Sequence, residues 1–303
     1  MTALSVNVGG VKMKNPVALA SGTCGYGEAF ADSYDPALLG AVVVKGISLE
    51  PRRGNPSPRM AETPSGMLNA IGLENVGLKI FLAEKLPWLV ERKVTVVVNT
   101  FGEKIEEYVK LAEEFSAVKG VSGLELNISC PNVKAGGIMF GSSPQVAAEL
   151  VREARKATPL PLWVKLSPNV GDITEVARAV EDAGADAVSL INTLKGMAID
   201  IERQRPVLAS VTGGLSGPAI RPVALRMVYE TARAVKIPVV GLGGIMNADD
   251  AVAFLLAGAS AIQIGTASFI DPSIPVRVIK GIEQYLKKHG LGSVKDLTSA
   301  LRV

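Results

Sequence analysis

Cys130, Lys45 and Lys165 are the residues of this chain best placed for covalent or proton-transfer chemistry. Cys130 lies between LNIS and Pro131, on a stretch whose two glycines, Gly136 and Gly137, would let a loop move over whatever lies beneath it. A thiol there is a candidate proton acceptor or nucleophile. With an ordinary pKa near ~8.5 only a few per cent is thiolate at neutral pH, so nearby lysines or a favourable geometry would have to assist. The competing reading is a small buried hydrophobe, which is what a lone cysteine most often is. Lys45 and Lys165 each end an apolar run, where an ammonium is costly unless an anion meets it, and a bound ligand would supply one. Otherwise each lysine snorkels to water. Cys24, in a glycine-rich loop without such company, reads as structural. His289 is the only histidine and sits beside Lys287 and Lys288 at a helix end, so it reads as a solvated cap. That excludes a Ser-His-Asp triad, a Cys-His pair and a histidine-rich metal site.

Elements able to position these residues are legible in the hydrophobic pattern. Eight short apolar or β-branched runs cover residues 17–20, 41–44, 95–98, 124–128, 162–166, 187–191, 239–242 and 261–264. Most are separated by helical stretches of ten or more residues, the pattern of βα units and a parallel sheet. Near-continuous apolar character, as in AVVV and TVVV, indicates strands covered on both faces. EKIEEYVKLAEEF, from Glu103, sets Ile105, Val109, Leu111 and Ala112 on one side and charges on the other. Residues 173–183, 219–235, 249–257 and 275–289 read likewise, with Asp172, Asn247 and Pro275 near the starts. The fold expected is α/β, a (β/α)8 TIM barrel forming one domain over residues 1–303, with an open doubly wound sheet as the alternative. LSVNVGGVKMKN predicts an N-terminal β-hairpin turning at Gly9-Gly10 and capping one barrel end. Residues 46–75, 129–144 and 193–218 are expected to be long loops, which are usually functional.

In such barrels the chemistry sits at the C-terminal ends of the strands. The residues there are Ser21, Lys45, Asn99, Asn127 with Ser129 and Cys130, Lys165 with Ser167, Asn192 with Thr193, Gly243 with Gly244, and Gly265 with Thr266. Polar or glycine endings on all eight runs imply one shared pocket. GLGG at 241–244 and IGT at 264–266 follow the seventh and eighth runs, where barrels commonly bind phosphate through backbone N–H groups. TGGLSG at 212–217 could complete that cradle. Glycines that merely make tight turns are the plainer explanation. No GxGxxG follows the first run, so direct NAD binding is unsupported.

Composition removes several classes. With 48% hydrophobic and 20% charged residues, 31 glycines and 18 prolines, the sequence suits a well-cored α/β protein with many tight loops. The net charge of +3 comes from 32 basic and 29 acidic side chains mixed along the chain, which leaves no nucleic-acid footprint. Two cysteines make no disulfide framework and fall short of the four thiolates of an ordinary iron-sulfur cluster. The most apolar stretch, residues 251–265, is shorter than the ~20 residues of a membrane span, and the N-terminus has no signal-peptide pattern. A cytoplasmic protein is expected.

The motifs NAIGLEN at 69–75, LNISCPNVKAGG at 126–137, WVKLSPN, INT at 191–193, GGLSG, GLGGI and QIGT together resemble the class 1 dihydroorotate dehydrogenases, in order and spacing from about residue 4 to residue 285. The resemblance implies FMN as cofactor, one per chain, and no metal. It implies that Cys130 takes the C5 proton of dihydroorotate while hydride passes from C6 to flavin N5, and that Lys165 stabilises the anionic reduced flavin. Lys45 would touch flavin and substrate together. Asn69, Asn127, Asn132, Asn192 and Thr193 would hold the pyrimidine ring and carboxylate, helped by Ala70, Ile71, Gly72 and Leu73. Ser21, Gly46, Asn99, Asn127, Ile191 and Gly217 would contact the flavin, with Gly243, Gly244, Gly265 and Thr266 around its phosphate.

The CPNVKAGG form resembles the class 1B subunit, whose acceptor is NAD reached through a partner carrying FAD and a 2Fe-2S cluster. The resemblance therefore implies a heterotetramer built on a homodimeric catalytic core. Rival readings are a class 1A homodimer using fumarate, a dihydropyrimidine dehydrogenase, a tRNA dihydrouridine synthase and a flavin-free aldolase.

Overall fold

The computed structural model describes residues 3–129, 134–135, 138–298 and 300–302. Eight parallel strands close into a barrel: β1 (Val17–Leu19), β2 (Ala41–Ile47), β3 (Val96–Thr100), β4 (Val121–Asn127), β5 (Leu162–Lys165), β6 (Ala187–Leu190), β7 (Val239–Leu242) and β8 (Ala261–Ile264). They neighbour one another in chain order, and β8 pairs with β1 to complete the circle. Each expected run is one of these strands. Val42, Val43 and Val44 of β2 and Val96, Val97 and Val98 of β3 are fully buried, as strands covered on both faces must be.

Parallel neighbours need crossovers, and helices supply most of them. These are α1 (Leu86–Glu91), α2 (Ile105–Ser116), α3 (Pro144–Ala157), α4 (Ile173–Asp182), α5 (Arg221–Ala234), α6 (Ala248–Ala257) and α7 (Ile274–Lys288). The β1 to β2 connection has only two short 3-10 turns. The architecture is a (β/α)8 TIM barrel. Helix starts follow local chemistry: the Asp172 carboxylate accepts from the Thr174 N–H at 2.8 Å and the Asn247 side chain from the Asp250 N–H at 2.9 Å. α3 is not among the helices expected, although its buried residues Ala147, Leu150, Val151 and Ala154 stand at the i, i+3, i+4, i+7 spacing of an amphipathic helix. Among the described residues no helix is long and apolar enough to cross a membrane.

The expected hairpin is present. Val6–Val8 pairs with Val11–Met13 around Gly9 and Gly10, whose φ angles of 53° and 93° are the left-handed values a two-residue hairpin turn requires. It seals the barrel floor, where the Val8 carbonyl accepts a hydrogen bond from Trp163 Nε1 at 3.1 Å.

The opposite end departs from expectation. Within the segments expected to be loops, Met60–Thr63, Gly66–Asn69, Leu194–Met197 and Thr212–Ser216 form a four-stranded antiparallel sheet. Thr212–Ser216 lies between Leu194–Met197 and Gly66–Asn69. Glycine is what permits this: a Cβ on Gly213 would stand 2.7 Å from the Asn69 carbonyl oxygen. TGGLSG is therefore mostly a strand, and only Gly217, with φ 94°, turns off its end in the manner expected of a cradle.

Trp163→Phe should lower the unfolding free energy by roughly 1–3 kcal/mol, since the buried Val8 carbonyl loses its donor. A urea denaturation midpoint indistinguishable from wild type would show that the hairpin does not brace the barrel floor.

Candidate active site

At the C-terminal ends of the strands, beneath the antiparallel cap sheet, lies a cavity of about 930 Å³, near the top of the ~300–1,000 Å³ range of ligand pockets. Every expected site residue within the described part of the chain lines it. Asn99, Asn127 and Lys165 come from β3, β4 and β5; Ile191, Asn192 and Thr193 follow β6; and Asn69 through Leu73 leave the cap. Cys130 and Asn132 lie outside the described residues. Ser129, the residue before Cys130, is tied into the wall: its hydroxyl donates to Asn127 Oδ1 at 2.7 Å and accepts from Asn192 Nδ2.

Lys45 does not end its strand. β2 runs on to Ile47 through a register shift between Val44 and Ile47, and such bulges re-aim side chains. The Lys45 ammonium is half-buried, and that burial pulls its pKa below the usual lysine value, against the opposing pull of Glu74. Lys165 is more deeply set. Its Nζ donates to Ser21 Oγ at 3.0 Å and lies 3.8 Å from Glu125 Oε1.

Glu125 is the functional-site residue that sequence reasoning missed. Its carboxylate is buried in the barrel, where Oε1 accepts from Asn99 Nδ2 at 2.7 Å and from Ser21 Oγ at 3.4 Å. Oε2 accepts from Ser189 Oγ and Gln263 Nε2, each at 2.8 Å. Four hydrogen bonds and one ammonium make a buried charge tolerable. At 3.8 Å and an effective dielectric of ~20, the gross attraction to Lys165 is roughly 4 kcal/mol before desolvation is charged against it. The signal in the sequence was an acidic residue inside an otherwise apolar run, LELNI.

On the far wall, Gly243 and Gly244 follow β7 with φ 122° and 79°. A Cβ on Gly244 would stand 2.6 Å from the Arg221 Cβ, and one on Gly243 2.9 Å from the Ala224 Cβ. Successive left-handed residues can present backbone N–H groups to an anion. Thr266, after β8, donates through Oγ1 to Ser216 Oγ at 2.8 Å and so ties the cap to the barrel. A glycine-lined anion cradle, two lysines and a row of amides in one cavity fit a phosphate-bearing cofactor beside a small polar ring.

A family model described as Dihydroorotate dehydrogenase matches residues 3–286, which include every barrel strand and the cap. The chain belongs to the dihydroorotate dehydrogenase family. It is 58% identical over 300 residues to a protein of Citrifermentans bemidjiense named dihydroorotate dehydrogenase B (NAD(+)), catalytic subunit, covering 99% of this chain and 98% of that one. Proteins of the same name from Bacteroides thetaiotaomicron, 58% identical over the full length of both chains, and from Geotalea uraniireducens, 57% identical over 98% of both, are similar to it.

In this member of the dihydroorotate dehydrogenase family the cavity amides are oriented by their neighbours. Asn127 engages Ser129 through its side-chain carbonyl oxygen, and its backbone carbonyl accepts from the Tyr108 hydroxyl at 2.8 Å. Asn69 Nδ2 donates to the Gly214 carbonyl at 3.2 Å, so the cap itself orients that side chain. Gly72, with φ 77°, packs against the Asn55 amide at distances that no Cβ would survive, which fixes how the Asn69 to Leu73 segment enters the cavity.

Cys24, read as structural, is buried, and its Sγ donates to the Val43 carbonyl at 3.3 Å. It does have lysines within electrostatic reach, contrary to expectation, but burial outweighs Lys165 and Lys45 and pushes the thiol up to about 12 from 9.0. In the native protein Cys24 should alkylate with iodoacetamide roughly a thousandfold more slowly than in the urea-unfolded chain at pH 8. Peptide mass mapping checks this, and equal labelling of both forms would contradict the buried assignment.

Proposed function

We propose that this chain is the FMN-binding catalytic subunit of a class 1B type dihydroorotate dehydrogenase, a cytoplasmic enzyme oxidising dihydroorotate to orotate in pyrimidine synthesis, with residues 1–303 acting as one domain. The observation that carries the reading is the convergence in one cavity of the glycine cradle after β7 and β8, the two lysines, and the amides of Asn69, Asn127 and Asn192. FMN, when bound, supplies the acceptor for the hydride that leaves C6 of the substrate.

The residues divide the remaining work. Gly243, Gly244, Gly265 and Thr266 would hold the phosphate, while Ser21, Gly46, Asn99, Asn127, Ile191 and Gly217 would shape the bed of the flavin ring. Lys165 offers positive charge where hydride uptake places negative charge, and Lys45 serves flavin and substrate carboxylate together. Asn69, Asn127, Asn132, Asn192 and Thr193, with the Ala70 to Leu73 backbone, match the alternating N–H and C=O edge of the pyrimidine ring. Cys130 takes the C5 proton.

The NAD(+) in the names of the similar proteins supports NAD as final acceptor, and their designation as catalytic subunits supports a separate electron-transfer subunit. This sequence has two cysteines and no dinucleotide fingerprint, so electrons bound for NAD leave through that partner, which carries FAD and a 2Fe-2S cluster in a heterotetramer on a homodimeric catalytic core.

Anaerobic addition of dihydroorotate to the purified protein should bleach its visible flavin absorbance. A yellow protein that stays yellow would redirect the reading to another substrate, and a colourless one unable to take up FMN would overturn it. Cys130→Ser should retain FMN but lose about 10²–10⁴-fold in the rate of that bleaching, the usual contribution of a positioned base. The chain alone should reduce NAD poorly with dihydroorotate. Efficient NAD reduction would remove the need for a partner, and turnover with fumarate matching the best acceptor would place the chain in class 1A.

A further inference from the structure

We infer that Glu125 is a positioning residue that sets the charge facing the bound flavin, acting through Lys165, Ser21 and Asn99; the inference rests on the FMN reading above. Glu125 is buried below the cavity and is not among the residues that line it, whereas Lys165, Ser21 and Asn99 are. Its carboxylate therefore meets a ligand through these three and through Gln263, which also lines the cavity and donates to Oε2.

Ser21 is the relay. Its hydroxyl accepts from Lys165 Nζ at 3.0 Å and donates to Glu125 Oε1 at 3.4 Å, so the ammonium is held by the hydroxyl and stands 3.8 Å from the carboxylate. That spacing compensates the lysine charge in part. Ser189 and Gln263, donating to the other oxygen, restrain how strongly the carboxylate pulls on Lys165. Hydride uptake adds negative charge to a flavin ring, so the balance between Glu125 and Lys165 sets how readily that charge is accepted.

The neutral variant can be housed. Gln263 Oε1 is buried without a hydrogen-bond partner among the described residues, and the Ser189 hydroxyl can rotate to accept. The side-chain amide introduced by Glu125→Gln would find acceptors once the Gln263 amide turns over, so this substitution removes a charge while keeping the network.

The test is a spectroscopic redox titration of FMN-loaded protein against a reference dye. Glu125→Gln should favour reduced flavin at least tenfold, an upward shift of about 30 mV for a two-electron couple. In a Lys165→Met background the same change should have a smaller effect, since only the routes through Ser21, Asn99 and Gln263 remain. Ser189→Ala, which leaves the carboxylate less satisfied and its hold on Lys165 stronger, should shift the potential the other way. A folded, FMN-loaded Glu125→Gln protein with an unchanged or lowered potential would overturn the inference. Should Glu125→Gln not fold, Ser189→Ala decides, a lowered potential supporting the inference and an unchanged one refuting it. Wild-type protein that takes up no FMN would bring down the functional reading and the inference together, whereas FMN binding with an insensitive potential removes the inference alone.

Discussion

A single carboxylate buried where water cannot solvate it governs how this barrel is built. Glu125 draws partners from around the barrel: four hydrogen-bond donors, Ser21 just after β1, Asn99 of β3, Ser189 of β6 and Gln263 of β8, and the Lys165 ammonium of β5 at 3.8 Å. An ionised group in this position is tolerable only if each partner arrives, which requires the strands to keep one mutual stagger. The network thus specifies register as well as charge. A sheet of valines alone would pack as well with several alternatives; one carboxylate that needs four donors does not.

Above and below that network the two ends of the barrel do different jobs. Beneath it, the Val6–Val8 and Val11–Met13 hairpin closes the floor with buried valines and the Trp163 hydrogen bond. Above it, lysines, amides and glycines meet under a sheet of short strands. Stability is concentrated at the N-terminal face and chemistry at the C-terminal face, the division that parallel barrels generally make. Asn69 belongs to both worlds, donating to the cap at Gly214 while lining the cavity.

What could be read from the sequence follows from how local each signal is. All eight strands were legible because fully covered strands announce themselves as apolar runs, and the polar ends of those runs located the cavity wall. The hairpin was legible because Gly9-Gly10 is a strong local turn signal. Glu125 was not, because one acidic residue in a strand has no meaning until its partners on other strands are known. The cap sheet was hidden for the same reason: GMLN and TGGLS carry little strand character alone, and each becomes a strand by pairing with the other. Lys45 was placed correctly at the cavity but with the wrong cause, since a β-bulge is invisible to hydrophobic pattern.

The cap also imposes an order in time. Asn69 and Gly214, hydrogen-bonded across its centre, are 145 residues apart in the chain. At a synthesis rate of ~5–20 residues per second, the Met60–Asn69 hairpin waits roughly 7 to 30 s for the strand that completes it. Long-range pairing of this kind is slow to close for entropic reasons even once the whole chain is present. The roof of the cavity stays unfinished until Thr212–Ser216 has emerged, and β7 and β8 must still follow before the barrel can close on β1, so the hairpin waits alone. The free edge it offers meanwhile, Gly66–Asn69, is only four residues long, too short a template to recruit a foreign strand.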